Sequence, residues 1–382
     1  MTSNSRWWQT DDELPPTWLD HLAAAYPEIE HDAQEWWRLT SPETMVGSRH
    51  HTVPRFYLER FAKNGQLWVR DRVTGDGRMS PTTKTGVIKD FYTFINIDGE
   101  KDGRLERILG VIEDGAKDLF DRMLSPFHSP RPLAPQESMH LGFFLAFQLQ
   151  RTPQHRRMVE LLGDFMAKTQ HPHLHGIDQV RVVPEPNLHL EQMTKMVPRL
   201  SELFFDRPAL LVTLDQPLFI TCDEPVVLVT DGSSHIKHAA SCFKTQKQRR
   251  KAARRPSRNR LRNADIVHVY PTRPTAGTAV EVALPLSPRT LLVLGPRGMA
   301  GPLTVSLNGA EAMTYANDVN ARLIDQAYGW VAAHPDHPTF RSLEFPPPGP
   351  LVQACDGGTK FSQDLDKAPN PRRPELLGRS WQ

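Results

Sequence analysis

Six polar residues in separate parts of the chain carry side chains that could work together: His51, Arg55, Glu113, Gln148, Arg151 and Asp223. An imidazole beside a carboxylate can act as a general base or a metal ligand, and guanidinium groups hold phosphate through paired hydrogen bonds. A shared cleft would suit phosphodiester hydrolysis and leaves a divalent metal open as cofactor. The alternative is a buried arginine–carboxylate network that fixes helix packing, since an unpaired buried charge is costly.

Two of these residues share one helix face. Gln148 and Arg151 are three residues apart at the end of a helix predicted over Gln136–Arg151, whose other residues are mostly apolar. A glutamine and an arginine on such a helix need polar partners. We expect Glu113 or Asp223 to supply the carboxylate.

The chain lacks the common catalytic motifs, and one histidine cluster is its remaining candidate metal site. The chain has no P-loop, no G-x-S-x-G, no H-E-x-x-H and no paired C-x-x-C. His171, His173 and His175 lie on a predicted loop, where three imidazoles could converge on a transition metal. No carboxylate lies in that loop, so an ordinary surface loop is the alternative.

Positive charge is concentrated in residues 244–262, which hold ten Lys or Arg and no acid. The pattern lacks apolar periodicity and favours a loop inserted between two strands. It is either a solvated insertion or a grip on a phosphate backbone that does not read sequence. The candidate nucleic-acid contacts are Lys247, Arg249, Arg250, Lys251, Arg254, Arg255 and Arg258.

The chain divides into three parts. Residues 1–45 form an extension with nine acids, two arginines and five of the eight tryptophans, a surface that could dock a protein partner or pack on the core. Residues 46–333 are predicted to form a single core domain containing the basic insertion. Residues 334–382 are rich in proline and are expected to be largely disordered.

Within the core, helices come first and strands later. Arg104–Met123 has apolar residues at helical spacing, and Leu188–Phe205 is a helix with an expected break at Pro198. Gln66–Asp71, Ala209–Leu214 and Thr290–Leu294 are predicted strands. This order predicts an α+β fold, in which a helix-rich first half packs with a mostly antiparallel sheet from the second half.

The location follows from what the chain lacks. The first ten residues have neither a basic start nor an apolar stretch, so they are not a signal peptide. No apolar run approaches the length of a membrane helix. Three cysteines without paired spacing favour a reduced, cytoplasmic protein that does not bind a membrane.

Several blocks together resemble a bacterial family known as domain of unknown function 4238. The opening block H-x-V-P-R-F-Y-L-x-x-F spans His51 to Phe61, and Q-x-x-R-T-P spans Gln148 to Pro153. Lys89-Asp90-Phe91-Tyr92 and Asp223-Glu224-Pro225-Val226-Val227 follow the same pattern in order. The resemblance implies no established activity. Two functions therefore remain open: a nucleic-acid-directed phosphodiester hydrolase, or a non-enzymatic regulatory or interaction module whose polar cluster is structural.

Overall fold

A computed structural model describes residues 9–10, 49–95, 100–127, 129–171, 173–230, 267–301, 303–356 and 363–367. The basic stretch and nearly all of the N-terminal extension lie outside these ranges, so the interpretations placed on them stay predictions. The described part of the chain is mixed α+β, with most helices in the first half and most strands later.

Six α-helices lie in the described residues. They are α1 (Arg55–Glu59), α2 (Arg104–Met123), α3 (Pro135–Gln150), α4 (Pro153–Gln170), α5 (Pro186–Ser201) and α6 (Gly309–Gln326). The predicted helix over 104–123 is confirmed with its bounds, because its apolar spacing records one buried face. The break expected at Pro198 was wrong: α5 passes through it for one more turn, in which Ser201 Oγ donates to Pro198 O at 2.7 Å.

The first half of the chain contains short strands. They are β1 (Gln9–Thr10), β2 (Arg49–His51), β3 (Gln66–Asp71), β4 (Gly77–Pro81), β5 (Val87–Lys89), β6 (Phe94–Ile95) and β7 (Lys101–Asp102). Strand β2 pairs antiparallel with β5, and β6 pairs with β7. The β2–β5 ribbon matters most for function, because it carries His51.

The second half contains the larger sheets. Its strands are β8 (Ala209–Leu214), β9 (Thr221–Cys222), β10 (Val227–Val229), β11 (Val267–Pro271), β12 (Glu281–Ser287), β13 (Thr290–Leu294), β14 (Met299–Ala300), β15 (Thr304–Leu307), β16 (Trp330–Ala333), β17 (Val352–Asp356) and β18 (Gln363–Asp364). A five-stranded sheet has the order β10-β12-β13-β8-β15, and only the β8–β15 pair is parallel. A four-stranded antiparallel sheet has the order β4-β3-β16-β9. The mostly antiparallel prediction is confirmed.

The three inner strands of the five-stranded sheet, β12, β13 and β8, are buried on both faces. Along β8, Leu211 packs with the cluster that contains α2, α3 and α5, whereas Leu210 and Val212 pack with α6. This alternation follows from the two-residue repeat of a strand, and it explains the nearly continuous apolar sequence there. The sheet therefore separates the helical layer that carries Gln148 and Arg151 from α6.

Packed chain continues past residue 333. Phe340 and Val352 are 1% and 0% exposed. The Arg70 guanidinium donates to Phe340 O at 3.1 Å and lies 4.3 Å from the Phe345 ring centre. The proline-rich composition of this segment does not reveal these aromatic anchors. The expected disorder of residues 357–362 and 368–382 concerns residues outside those described.

Candidate functional site

Gln148 and Arg151 form the centre of a polar cluster at the C-terminal end of α3. Arg151 Nε and Nη2 both donate to Gln148 Oε1, at 3.0 and 2.7 Å, as their three-residue spacing on one face predicts. Arg151 Nη1 donates to Glu113 Oε1 at 2.5 Å. Glu113 reaches the arginine from α2, which packs against α3. The carboxylate partner is therefore Glu113.

The amide of Gln148 ties this centre to the opening block. Its Nε2 donates to Thr52 O at 3.1 Å, next to strand β2. Gln148 and Arg151 are each 1% exposed, whereas the Glu113 side chain is 26% exposed. The cluster is thus deeply buried and reaches solvent through its carboxylate.

Tyr92 is a member of the cluster that the sequence reasoning did not single out. Its hydroxyl donates to Arg151 O at 3.0 Å, and burial raises the pKa of this phenol well above its usual value. The Tyr92 backbone N–H donates to His50 Nδ1 at 2.7 Å, and the two rings stack 5.3 Å apart. The Lys89–Tyr92 block was the available signal. We use "polar cluster" below for His51, Tyr92, Glu113, Gln148 and Arg151.

His51 lies at the edge of the polar cluster. Its Nε2 is 3.3 Å from Thr82 O, and since a carbonyl only accepts, Nε2 carries the proton. Burial lowers the pKa of His51 below its usual value. The hydrogen bond to Thr82 O and the charge of Glu113 raise it in part, and the charges of Arg49 and Arg55 lower it. The ring is therefore neutral at pH 7. Its Nδ1 carries a lone pair that makes no hydrogen bond within the described part of the chain.

Arg55 lies apart from the other predicted site residues. It begins α1 and donates from Nε to Glu59 Oε1 at 2.8 Å, one turn along the same helix. Its side chain is 56% exposed. Arg55 influences His51 through its charge, but its guanidinium is occupied by a neighbour on the surface.

Asp223 belongs to an adjoining group of buried acids. Its two carboxylate oxygens accept from the backbone N–H groups of Tyr328 and Gly329, at 2.9 and 2.5 Å. Burial raises the pKa of Asp223 to about 6. The next residue, Glu224, accepts a hydrogen bond from the Thr152 side chain, and burial raises its pKa well above the usual range. Thr152 directly follows Arg151 in the chain, so its hydrogen bond places Glu224 next to the polar cluster.

Metal binding has limited support in the described residues. There, no three His, Cys, Asp or Glu side chains come close enough together to hold one ion. His171 and His173 are near neighbours with ring centres 5.9 Å apart. The described ranges also contain no helix long and apolar enough to cross a membrane.

A small groove lies away from the polar cluster, at the C-terminal end of α2. Its walls include Leu119, Met123, Leu133 and Leu211, and its rim includes Arg122, Arg131 and Glu137. Glu137 Oε1 is 2.6 Å from both arginines, so it neutralises one of the two positive charges of the rim. None of the six predicted site residues lines this groove.

Comparison with known proteins identifies the family alone. No curated protein and no solved structure matches the chain. The model of the family described as "Protein of unknown function (DUF4238)" matches residues 49–247, which is more than half of the 382 residues. The match begins at strand β2 and includes Glu113, Gln148, Arg151 and Asp223. The chain belongs to this family of proteins of unknown function.

Proposed function

We propose that this protein is a non-enzymatic regulatory or interaction module in which the polar cluster has a structural role. One observation carries the proposal: the buried guanidinium of Arg151 and the buried amide of Gln148 form hydrogen bonds with each other and with neighbouring protein groups. A catalytic or ligand-binding cleft needs donors or acceptors that point toward a ligand.

The bonds of the two side chains support this reading. Gln148 uses its amide nitrogen on Thr52 O and its amide oxygen on Arg151. Arg151 donates from Nε and from both terminal nitrogens. Its backbone carbonyl accepts from Tyr92. Both side chains are nearly free of solvent, so replacing either one strands a buried partner.

This arrangement gives the cluster a mechanical task. Gln148 holds the end of strand β2, and Arg151 joins α3 to α2 through Glu113. Thr52 in turn donates from its backbone N–H to Gly86 O at 2.9 Å, which holds the loop before β5. The polar cluster thus fixes the β2–β5 ribbon on the helical layer. The surfaces presented by that scaffold bind the partner, and we place the module in the cytoplasm.

A turnover assay tests the proposal directly. Full-length protein is incubated with bis(p-nitrophenyl) phosphate and with labelled single- and double-stranded oligonucleotides, in the presence of Mg²⁺, Mn²⁺ or Zn²⁺. We expect no hydrolysis above that of buffer. Hydrolysis that is lost in His51→Ala would overturn the proposal.

A second candidate function is a phosphodiester hydrolase, and the geometry of His51 favours it. Its proton sits on Nε2, so the lone pair of Nδ1 can take a proton from a water that attacks phosphorus, while the alkoxide leaves. The neutral state at pH 7 suits a general base. The matched control is His175→Ala, since His175 is an exposed histidine on another surface. A hydrolase would lose turnover in the His51 variant and keep it in the control.

A further inference from the structure

The outer face of the β2–β5 ribbon carries an uncompensated group of positive charges. Arg49 on β2 and Lys89 on β5 are directly opposite each other, and both side chains are exposed. Like charges in such a cross-strand pair destabilise a ribbon. Packing does not require either charge, because the next residue of β2, His50, points to the buried side of the ribbon.

A third cation lies beside this pair. Arg49 Nη2 donates to Thr83 O at 3.0 Å, and the next residue is the exposed Lys84. We call Arg49, Lys84 and Lys89 the cationic face. Within the described ranges, none of the three forms an ion pair with a carboxylate.

The acids nearby are already committed. Asp90 pairs with Lys101 at 3.0 Å, and Glu113 pairs with Arg151 at 2.5 Å. Glu59 pairs with Arg55 at 2.8 Å. Glu106 lies 3.4 Å from Nε2 of the buried His50. None of these acids forms an ion pair with the cationic face, and only Asp90 attracts Lys89 at longer range.

The backbone beneath the cationic face is held firmly. Both the backbone N–H and the hydroxyl of Thr52 donate to Gly86 O, at 2.9 and 3.1 Å. Gln148 secures the other side of Thr52 by donating to its carbonyl. The backbone that carries the cationic face is therefore ordered before a ligand binds.

We propose that the cationic face binds the phosphate backbone of duplex nucleic acid without reading its sequence. A two-stranded ribbon is a shape that a duplex groove admits. Arg49 and Lys89 lie opposite each other across this ribbon, and Lys84 lies on the turn before β5. Next to Arg49 and Lys89, the two strands carry His51 and Val87, and neither strand carries a Phe, Tyr or Trp on which unpaired bases would stack. This inference goes beyond the proposed function, because binding here does not depend on whether the polar cluster is catalytic.

The test is a salt titration of binding to a fluorescein-labelled DNA duplex by fluorescence anisotropy, from about 50 to 200 mM salt. The full-length variant replaces Arg49, Lys84 and Lys89 with serine. Each lost phosphate contact lowers the slope of log affinity against log salt by about 0.9, so we expect a reduction of about two to three.

The matched control replaces three exposed cations elsewhere, Lys195, Arg199 and Arg322, with serine. Both variants lose the same charge, so a general effect of net charge lowers their slopes equally. The proposal predicts that the slope of log affinity against log salt for the control lies within about 0.5 of the wild-type slope. The same titrations are repeated with protein in which every Lys and Arg of residues 244–262 is replaced by serine. This distinguishes binding by the cationic face from binding by the basic stretch.

Three results would overturn the proposal. They are equal slopes for the two variants, a wild-type slope in the cationic-face variant, and no detectable duplex binding by the full-length protein at about 50 mM salt, where phosphate contacts are strong. Melting curves of both variants check that the fold is retained. If the triple variant unfolds, the single substitution Lys89→Ser, at an exposed side chain, must still lower the slope by about one.

Discussion

Replacing Arg151 with alanine is the most informative perturbation of the polar cluster. The substitution removes three donated hydrogen bonds, two to Gln148 and one to Glu113. Gln148 Oε1 then lies buried without a donor, which costs about 1–3 kcal/mol. Glu113 keeps part of its hydration because its side chain is 26% exposed, so its stranding costs less than that of a fully buried charge.

Together these terms predict a loss of about 3–5 kcal/mol in the free energy of unfolding. For a chain of this size, that corresponds to a melting temperature lower by roughly 4–6 °C. Urea denaturation and thermal melting of the purified variant measure both quantities. Loss of ligand binding or activity with a nearly normal melting curve is the opposite outcome, and it indicates an open site.

The control is Arg55→Ala, which removes an arginine–glutamate pair from the surface. Exposed pairs contribute about 0–1 kcal/mol, so this variant should melt close to the wild type. Glu113→Gln combined with Arg151→Ala should cost less than the sum of the two single changes, because both remove the same ion pair. An Arg151→Ala protein that melts within about 1 °C of the wild type would refute a structural role for the cluster.

Three further outcomes are expected. Gly86→Ala should destabilise the fold by about 1–3 kcal/mol in urea denaturation, since Gly86 has φ +68° and an added Cβ would lie 3.2 Å from the Trp330 ring. The control Gly65→Ala, with φ +70° and open space around the added Cβ, should cost only about 1 kcal/mol. Burial raises the pKa of Glu224 above its unfolded value near 4.5, so the folded chain holds a proton that the unfolded chain releases. The free energy of unfolding should therefore fall as pH rises above about 4.5. Denaturation series at several pH values measure this decline, and Glu224→Gln should flatten it. Deleting residues 1–45, which carry nine acids and two arginines, should tighten duplex binding and steepen its salt dependence if the segment screens residues 244–262, and unchanged titrations would contradict this.

Local structure was largely predictable from local pattern. The helix Arg104–Met123 and the strand Gln66–Asp71 have the predicted bounds, because the spacing of their apolar residues records which face is buried. Thr152 caps α4 by accepting from His155 N at 3.1 Å, and Pro153 occupies the first helical position. The contact between Gln148 and Arg151 also follows from their spacing alone.

Partner choice in the polar cluster was decided by tertiary structure. Arg151 could have paired with Glu113 or Asp223; α2 packs on α3 and presents Glu113, while Asp223 is satisfied by the backbone after α6. Apolar periodicity shows that one face of a helix is buried, but it does not show which polar group lies on the helix or strand packed against that face. The same reason hid Tyr92, whose hydroxyl meets Arg151 O across 59 residues of sequence. The sequence by itself determined the main helices and strands and the family blocks, whereas the packing of distant segments decided that those blocks meet in a buried, internally paired cluster.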